Sequence, residues 1–283
     1  MDCGKALVRR FDASSWTYRF LSRDRGIEVM KGRENGSIRV AAVGDLHCPR
    51  TSTEELRALF HELSNEADVL LLCGDLTDYG KPDEARLLVD QLAQVRSVPI
   101  LAVLGNHEYE CGKQEEVTRL LADGGVTVLD GTATEVLGVG FAGIKGFCGG
   151  FGERALQPWG ESALKLFARE SVEETVKLES ALAKLRTPSK VVLMHYAPIL
   201  DTVRGEPLEI FPFLGSSRLE EPVNRYGVTA VFHGHAHNGS LEGKTLAGTP
   251  VFNVALPLLR KHSSGRRAIR FHDLPAVPVT LAS

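Results

Sequence analysis

The sequence predicts an α/β fold built on a largely parallel sheet. Three observations carry that expectation. Short apolar runs lie at residues 38–43 (broken only by Arg39), 69–73 and 99–104, each of strand length. Each run ends in a glycine and a polar loop: Gly44-Asp45-Leu46-His47, Gly74-Asp75 and Gly105-Asn106-His107-Glu108. Each loop then leads into a helical pattern. Strand, loop and helix in series call for helical crossovers between parallel strands.

Residues 1–37 carry Phe11, Trp16, Tyr18, Phe20 and Leu21, so an N-terminal extension packed on the domain of residues 38–283 is expected. Ser52-Thr53-Glu54-Glu55 has the form of a capping box and opens a helix to about residue 64. The second strand, Val69–Cys73, follows. Pro82-Asp83-Glu84 suits a first helical turn, and Ala85, Leu88, Val89 and Leu92 give the periodicity of a helix to about residue 95. A shorter helix is expected at about 113–122, then strands at 126–129, 135–137 and 139–142. Residues 143–160 form a glycine-rich loop, long enough to serve as a lid or pocket wall. Residues 161–186 lack glycine and proline and read as a long helix, broken near Ser171. A strand at 190–194 ends at His195, and one at 228–232 ends at His233-Gly234-His235-Ala236-His237. Helical signals at 216–226 and strands at 249–254 and 267–272 complete the chain.

The composition narrows the function. With 283 residues, 43% of them hydrophobic, the chain can bury a sizeable core. A net charge of -3 gives no bulk attraction to nucleic acid or membrane. The first 39 residues hold nine Lys/Arg against five acids, which reads as a solvated surface segment. Five scattered cysteines (3, 48, 73, 111 and 148) without a C-x-x-C argue against a disulfide framework or a zinc knuckle. No apolar stretch reaches the ~20 residues of a membrane span. The N-terminus lacks a signal-peptide core, so a cytoplasmic location is expected.

Five polar clusters follow five strands: Asp45/His47, Asp75, Asn106/His107, His195 and His235/His237. Asp75 illustrates the logic. Gly74 allows a tight turn, and Asp75 then projects a carboxylate from the end of a rigid strand, where α/β proteins place their sites. Five of the nine histidines fall in these clusters, which isolated chance matches do not explain. Carboxylates, imidazoles and an amide oxygen suit Mn²⁺, Fe²⁺ or Zn²⁺. Seven candidate ligands exceed the needs of one ion and imply two, held ~3.5–4 Å apart by a bridging carboxylate. Elsewhere, Cys48 and Cys73 read as core fillers, His233 as a packing residue, and Lys145 and Arg154 as solvated charges. Tyr79 and Tyr109 are open candidates for substrate contact.

The ordered blocks D-x-H, G-D-x-x-D, G-N-H-E, H and G-H-x-H, from Gly44 to His237, resemble the calcineurin-like metallophosphoesterase superfamily. The resemblance implies a four-layer αββα sandwich, two packed mixed β-sheets flanked by helices. It implies that Asp45, His47 and His237 bind one metal, that Asn106, His195 and His235 bind a second, and that Asp75 bridges them. His107 would face the scissile phosphate without being a ligand, with the Asp78 carboxylate as its partner; the rival reading of Asp78 is a turn or capping acid. The implied activity is hydrolysis of a phosphomonoester or phosphodiester by in-line attack of a hydroxide activated by two metals. The H-x-H arrangement is also similar to cyclic-nucleotide phosphodiesterases of the superfamily. A small phosphate ester is the expected partner, and the missing basic surface argues against a nuclease. A silent scaffold that keeps the fold is the alternative, but every ligand position is filled here.

Overall fold

The computed structural model describes residues 17–21, 27–31, 37–265 and 267–275. An antiparallel pair, β1 (Thr17–Leu21) and β2 (Ile27–Lys31), stands in the N-terminal region. The expected packing of residues 1–37 on the domain otherwise lies outside the described residues. The chain continues through β3 (Ser37–Val43), α1 (Thr53–Phe60), α2 (Leu63–Glu66), β4 (Val69–Cys73) and α3 (Pro82–Leu92). Next come β5 (Ile100–Val103), α4 (Gln114–Asp123), β6 (Val126–Val128), β7 (Thr132–Val136), β8 (Val139–Gly143) and α5 (Ser162–Leu182). The C-terminal half adds β9 (Ser189–Leu193), α6 (Phe211–Leu214), α7 (Glu220–Arg225), β10 (Ala230–His233) and β11 (Glu242–Lys244). It closes with β12 (Pro250–Asn253), α8 (Leu256–His262) and β13 (Arg270–Pro275).

Two mixed sheets result. The first runs β13-β3-β4-β5-β6, parallel from β3 to β6 with β13 antiparallel at one edge. The second runs β11-β12-β10-β9-β8-β7, with a parallel centre and antiparallel strands at both edges. Their inner faces share one core. Phe141, Val191, Leu193, Phe232 and Phe252 of the second sheet join the fully buried strands of the first. The alternate residues Ala142, Val192, Met194, Val231 and Val251 turn outward onto Leu178, Ala181 and Leu182 of α5 and Val223 of α7. Leu56, Phe60, Leu88, Leu92, Val117 and Leu121 of α1, α3 and α4 cover the other side of the first sheet. This is the four-layer sandwich. Strands covered on both faces explain the near-continuous apolar runs in the sequence.

Local chemistry explains where the elements begin and end. Ser52 Oγ accepts from Glu55 N at 3.2 Å, and Glu55 Oε2 accepts from Ser52 N at 3.1 Å, so the capping box forms. The helix stops at Phe60, short of residue 64, because Glu62 turns left-handed with φ 57°. The predicted break at Ser171 does not occur: α5 is continuous. Ser171 Oγ bonds Ser216 Oγ at 3.2 Å instead of competing for its own helix backbone. Among the described residues, no helix is long and apolar enough to cross a membrane.

The carboxyl ends of β3, β4, β5, β9 and β10 converge at one edge of the sandwich. Gly44 N donates to Val254 O at 2.8 Å, and Val254 N donates to His233 O at 2.7 Å, tying the first sheet to the second beside the strand-end loops.

Candidate metal centre

The loops after β3 and β4 are zipped together by backbone hydrogen bonds. Asp45 N donates to Gly74 O at 2.9 Å, His47 N to Asp75 O at 2.9 Å, Cys48 N to Leu76 O at 3.0 Å and Asp78 N to Cys48 O at 3.1 Å. Four candidate ligands adopt positive φ: Asp45 56°, His47 45°, Asp75 49° and His235 70°. Such conformations are uncommon outside glycine and tend to gather at functional sites. The glycines that precede them leave room for one another's side chains. A Cβ on Gly74 would lie 2.5 Å from His195 Nδ1, and one on Gly105 or Gly234 would overlap the carboxylate of Asp75 or Asp45. Each glycine is therefore required by a side chain from a different loop.

Three side-chain groups form within this frame. Asp45, His47 and His237 converge in the first, Asp75, His195 and His235 in the second, and a third brings Asp78 and His107 to the same His47. In the first, His237 Nε2 is 2.8 Å from Asp45 Oδ1, and both oxygens of Asp45 accept from His235 N at 3.0 Å. In the second, His195 Nε2 is 3.3 Å from Asp75 Oδ2 and 3.0 Å from Asn106 Oδ1. Asp75 Oδ2 also stands 3.8 Å from His47 Nε2, so one oxygen faces imidazoles of the first and second groups. Asp75 Oδ1 accepts from His107 N at 2.9 Å.

The donor set fits divalent cations. Both ring nitrogens of His47 are buried without a hydrogen-bond partner, and a metal ion at Nε2 would satisfy one of them. His195 donates Nδ1–H to Cys73 O at 3.0 Å, which leaves Nε2 aimed at two oxygens that can only accept. A proton or a metal ion must occupy that position. Burial opposes a charge on His195, but Asp75 outweighs it and holds the imidazole up at about 9. His235 donates Nε2–H to Phe213 O at 3.2 Å and leaves Nδ1 as its lone pair. Burial pushes His235 down to about 3, with His195 adding to the effect, so its ring stays neutral as a ligand must. Burial also lowers His47. Asp45 and Asp75 are buried, which alone would raise them; His237 and His195 outweigh this at Asp45, and chiefly His195 at Asp75, so both stay below the usual carboxylate range.

The expected pairing of the Asp78 carboxylate with His107 is not what forms. His107 Nδ1 lies 2.5 Å from the backbone carbonyl of Asp78. The Asp78 carboxylate instead pairs with Arg50 Nη2 at 2.6 Å and faces His47 Nδ1 at 3.4 Å. The reason is the zipped loop: with Asp78 N bound to Cys48 O, its side chain is directed to the loop after β3. His107 Nε2 is left 3.8 Å from Asp75 Oδ2, beside the ligand groups.

Three residues with larger roles carried weak sequence signals. Glu108 is fully buried and accepts from Thr77 N at 2.8 Å, Thr77 Oγ1 at 2.7 Å and Gly105 N at 2.6 Å, clasping the loops after β4 and β5. Its place in G-N-H-E was the available clue. Arg50 had none. Lys145, expected as a solvated charge, sits among aromatic rings. His233 spends Nδ1 on Gly234 O and Nε2 on Thr202 Oγ1, both at 2.8 Å, and stays outside the ligand groups. Cys48 and Cys73 are buried core residues, while Tyr79 and Tyr109 are exposed.

Comparison with known proteins matches this architecture. The calcineurin-like phosphoesterase family profile covers residues 38–239, and the chain belongs to that family. Members normally bind divalent metals, and the His/Asp groups fit that habit. Among solved structures, the chain is similar to the phosphopantetheinyl hydrolase PptH from Mycobacterium tuberculosis, at 14% identity and TM-score 0.61, over 88% of this chain and 99% of that one. It is also similar to the TT1561 protein of Thermus thermophilus, at 16% identity and TM-score 0.50, over 85% and 100%. The Plasmodium inner-membrane-complex anchor GAP50 aligns at 14% identity and TM-score 0.51, over 78% and 72%. At these identities the likeness shows the fold alone. No curated protein sequence matches the chain.

Proposed function

We propose that this chain is a phosphoesterase that works with two divalent ions drawn from Mn, Fe and Zn. Asp45, His47 and His237 would hold one, Asn106, His195 and His235 the other, and Asp75 would bridge them. The observation that carries this reading is Asp75 Oδ2, which faces His47 at 3.8 Å and His195 at 3.3 Å, one from each group. Bound ions of this kind neutralise phosphoryl oxygens and lower the pKa of water towards ~7.

The remaining work belongs to the chain's own residues. His107 holds its ring by donating Nδ1–H to Asp78 O at 2.5 Å, which directs Nε2 towards the groups around Asp75. From there the imidazolium form would pass its Nε2 proton to the leaving oxygen, leaving a neutral ring with Nδ1–H still on the Asp78 carbonyl. Arg50, paired to Asp78 but with its side chain 57% exposed, adds positive charge at the mouth. The substrate class is a phosphomonoester or phosphodiester, with cyclic nucleotides among the diesters to be tried.

The test is hydrolysis of p-nitrophenyl phosphate and bis-p-nitrophenyl phosphate by Mn²⁺-loaded protein, before and after chelation. Turnover of at least one ester, abolished by chelator and restored by metal, is the expected result. Inertness towards both in metal-loaded protein would remove this reading and favour a scaffold.

A further inference from the structure

Lys145 follows β8 and is bound into the same framework as the ligand groups. Its carbonyl accepts from His195 N at 2.9 Å and Tyr196 N at 3.2 Å. Its ammonium lies 4.9 Å from the Phe147 ring centroid, 5.4 Å from Tyr196 and 5.6 Å from Tyr109, all within cation–π range. An ammonium has three donors, yet one hydrogen bond, to Gly146 O at 2.8 Å, is all that Lys145 makes with the described residues. No described carboxylate pairs with it. Glu174, the buried acid nearby, is committed: Oε2 accepts from Gly146 N at 2.8 Å and Oε1 from Lys177 Nζ at 2.6 Å.

Lys145 is half-buried, and Glu174 and Glu170 favour its charge only from a distance; a partly desolvated cation that no carboxylate pairs is costly unless something completes it. Its position says what that would be. The Tyr196 ring packs on His235 at 4.4 Å and on His195 at 5.5 Å, so the ammonium is one aromatic ring from the ligand groups and within about 10 Å of the His235 ring. Tyr109, whose ring also lies within reach of the ammonium, is two residues beyond His107.

We propose that Lys145, framed by Tyr109, Phe147 and Tyr196, is the anchor of a second anion-binding subsite, and that the substrate is a phosphate ester whose alcohol carries another anionic group a few bonds from the phosphorus. The inference rests on the phosphoesterase reading. The metal groups take the scissile phosphate, and Lys145 takes the second anion and sets which esters are preferred. An aryl ester without a second anionic group leaves Lys145 unused, so its turnover tests the metal-centre chemistry and not the preference set by Lys145.

The experiment is isothermal titration of Mn²⁺-loaded protein with two phosphonates of similar length, 4-phosphonobutyrate and butylphosphonate. The expected result is binding of both, with the carboxylate-bearing 4-phosphonobutyrate favoured by about tenfold or more, as one charged hydrogen bond would give. Lys145→Met should lose that preference and Lys145→Arg should keep it, with thermal melting used to check that both variants fold. Equal affinity for the two ligands in the unmodified protein overturns the proposal, as does a preference that survives Lys145→Met. The comparison in the unmodified protein needs no variant, so misfolding of one does not shield the idea. Failure to bind either phosphonate would instead refute the metal-centre reading, and the subsite with it.

Discussion

His107 Nδ1 is held by the backbone carbonyl of Asp78, at 2.5 Å, and not by its carboxylate. A carbonyl acceptor orients the ring without adding a full negative charge behind it. The two residues should therefore respond differently to substitution. His107→Ala is expected to lower kcat by about 100-fold or more, the contribution of a general acid, while metal content stays at the unmodified level. Asp78→Asn keeps the carbonyl and should lower kcat by less than about tenfold. Steady-state kinetics with metal analysis decides between them. An equal loss in both would restore the carboxylate as the partner of His107.

Asp75 faces both ligand groups through one oxygen. Asp75→Asn should therefore reduce occupancy at both metal positions together, read as metal equivalents per chain after dialysis. Loss of one equivalent with the other retained would contradict a bridging role.

Glu108 satisfies three donors from two loops. Its own environment is unfavourable: burial first, then the charge of Asp75, push its carboxyl up. Glu108→Ala would strand Thr77 N and Gly105 N in the interior. A loss of about 1–3 kcal/mol in unfolding free energy is expected from urea titration, with a matching fall in metal affinity. Unchanged stability would mean that water replaces the clasp.

Gly74 has φ 82°, and a Cβ there would press on the His195 ring. Gly74→Ala combines backbone strain with displacement of a candidate ligand. Strain of this kind costs about 1–3 kcal/mol, and the variant should also bind metal more weakly. A calorimetric melt with metal titration measures both effects. A variant equal to the parent in both would show that His195 can move aside.

His195 supplies a pH signature. In chelated protein its folded-state value of about 9 lies above the ordinary 6.5, so the proton is bound more tightly folded than unfolded. Its stabilising contribution is complete below about 6.5 and is lost as pH rises through about 9. A metal ion must displace that proton. Metal binding at pH 7.5 should release it, and affinity should rise with pH until about 9 and then level off at this position. Titrations in buffers of different ionisation enthalpy count the protons. A pH-independent affinity from 7 to 9, with no proton released, would contradict the tautomer assigned from Cys73.

Much of the site was legible before any fold was known. Buried parallel strands advertise themselves as near-continuous apolar runs, and the glycine after each run marks where a ligand loop turns. The spacing Asp45-x-His47 put two members of one group side by side, whereas His235 and His237, equally spaced, fall in different groups. The hairpin of β1 and β2, the short β11 and α8 escaped the reading, since three to seven residues carry too little periodicity. The uninterrupted course of α5 also escaped it, because Ser171 is stabilised by a residue 45 positions away.

From sequence alone, then, come the fold class, the identity of the clustered side chains and their place at strand ends, because these follow from local periodicity and from backbone freedom at glycine. Tertiary structure decided which oxygen of Asp75 faces both groups, which atom of Asp78 holds His107, and that Lys145 lies among three aromatic rings. Those outcomes depend on how two sheets pack and which loops bond across the gap. A side chain's partner there is set by residues 29 to 190 positions distant, as His107 with Asp78 and His235 with Asp45 illustrate, and no local pattern records it.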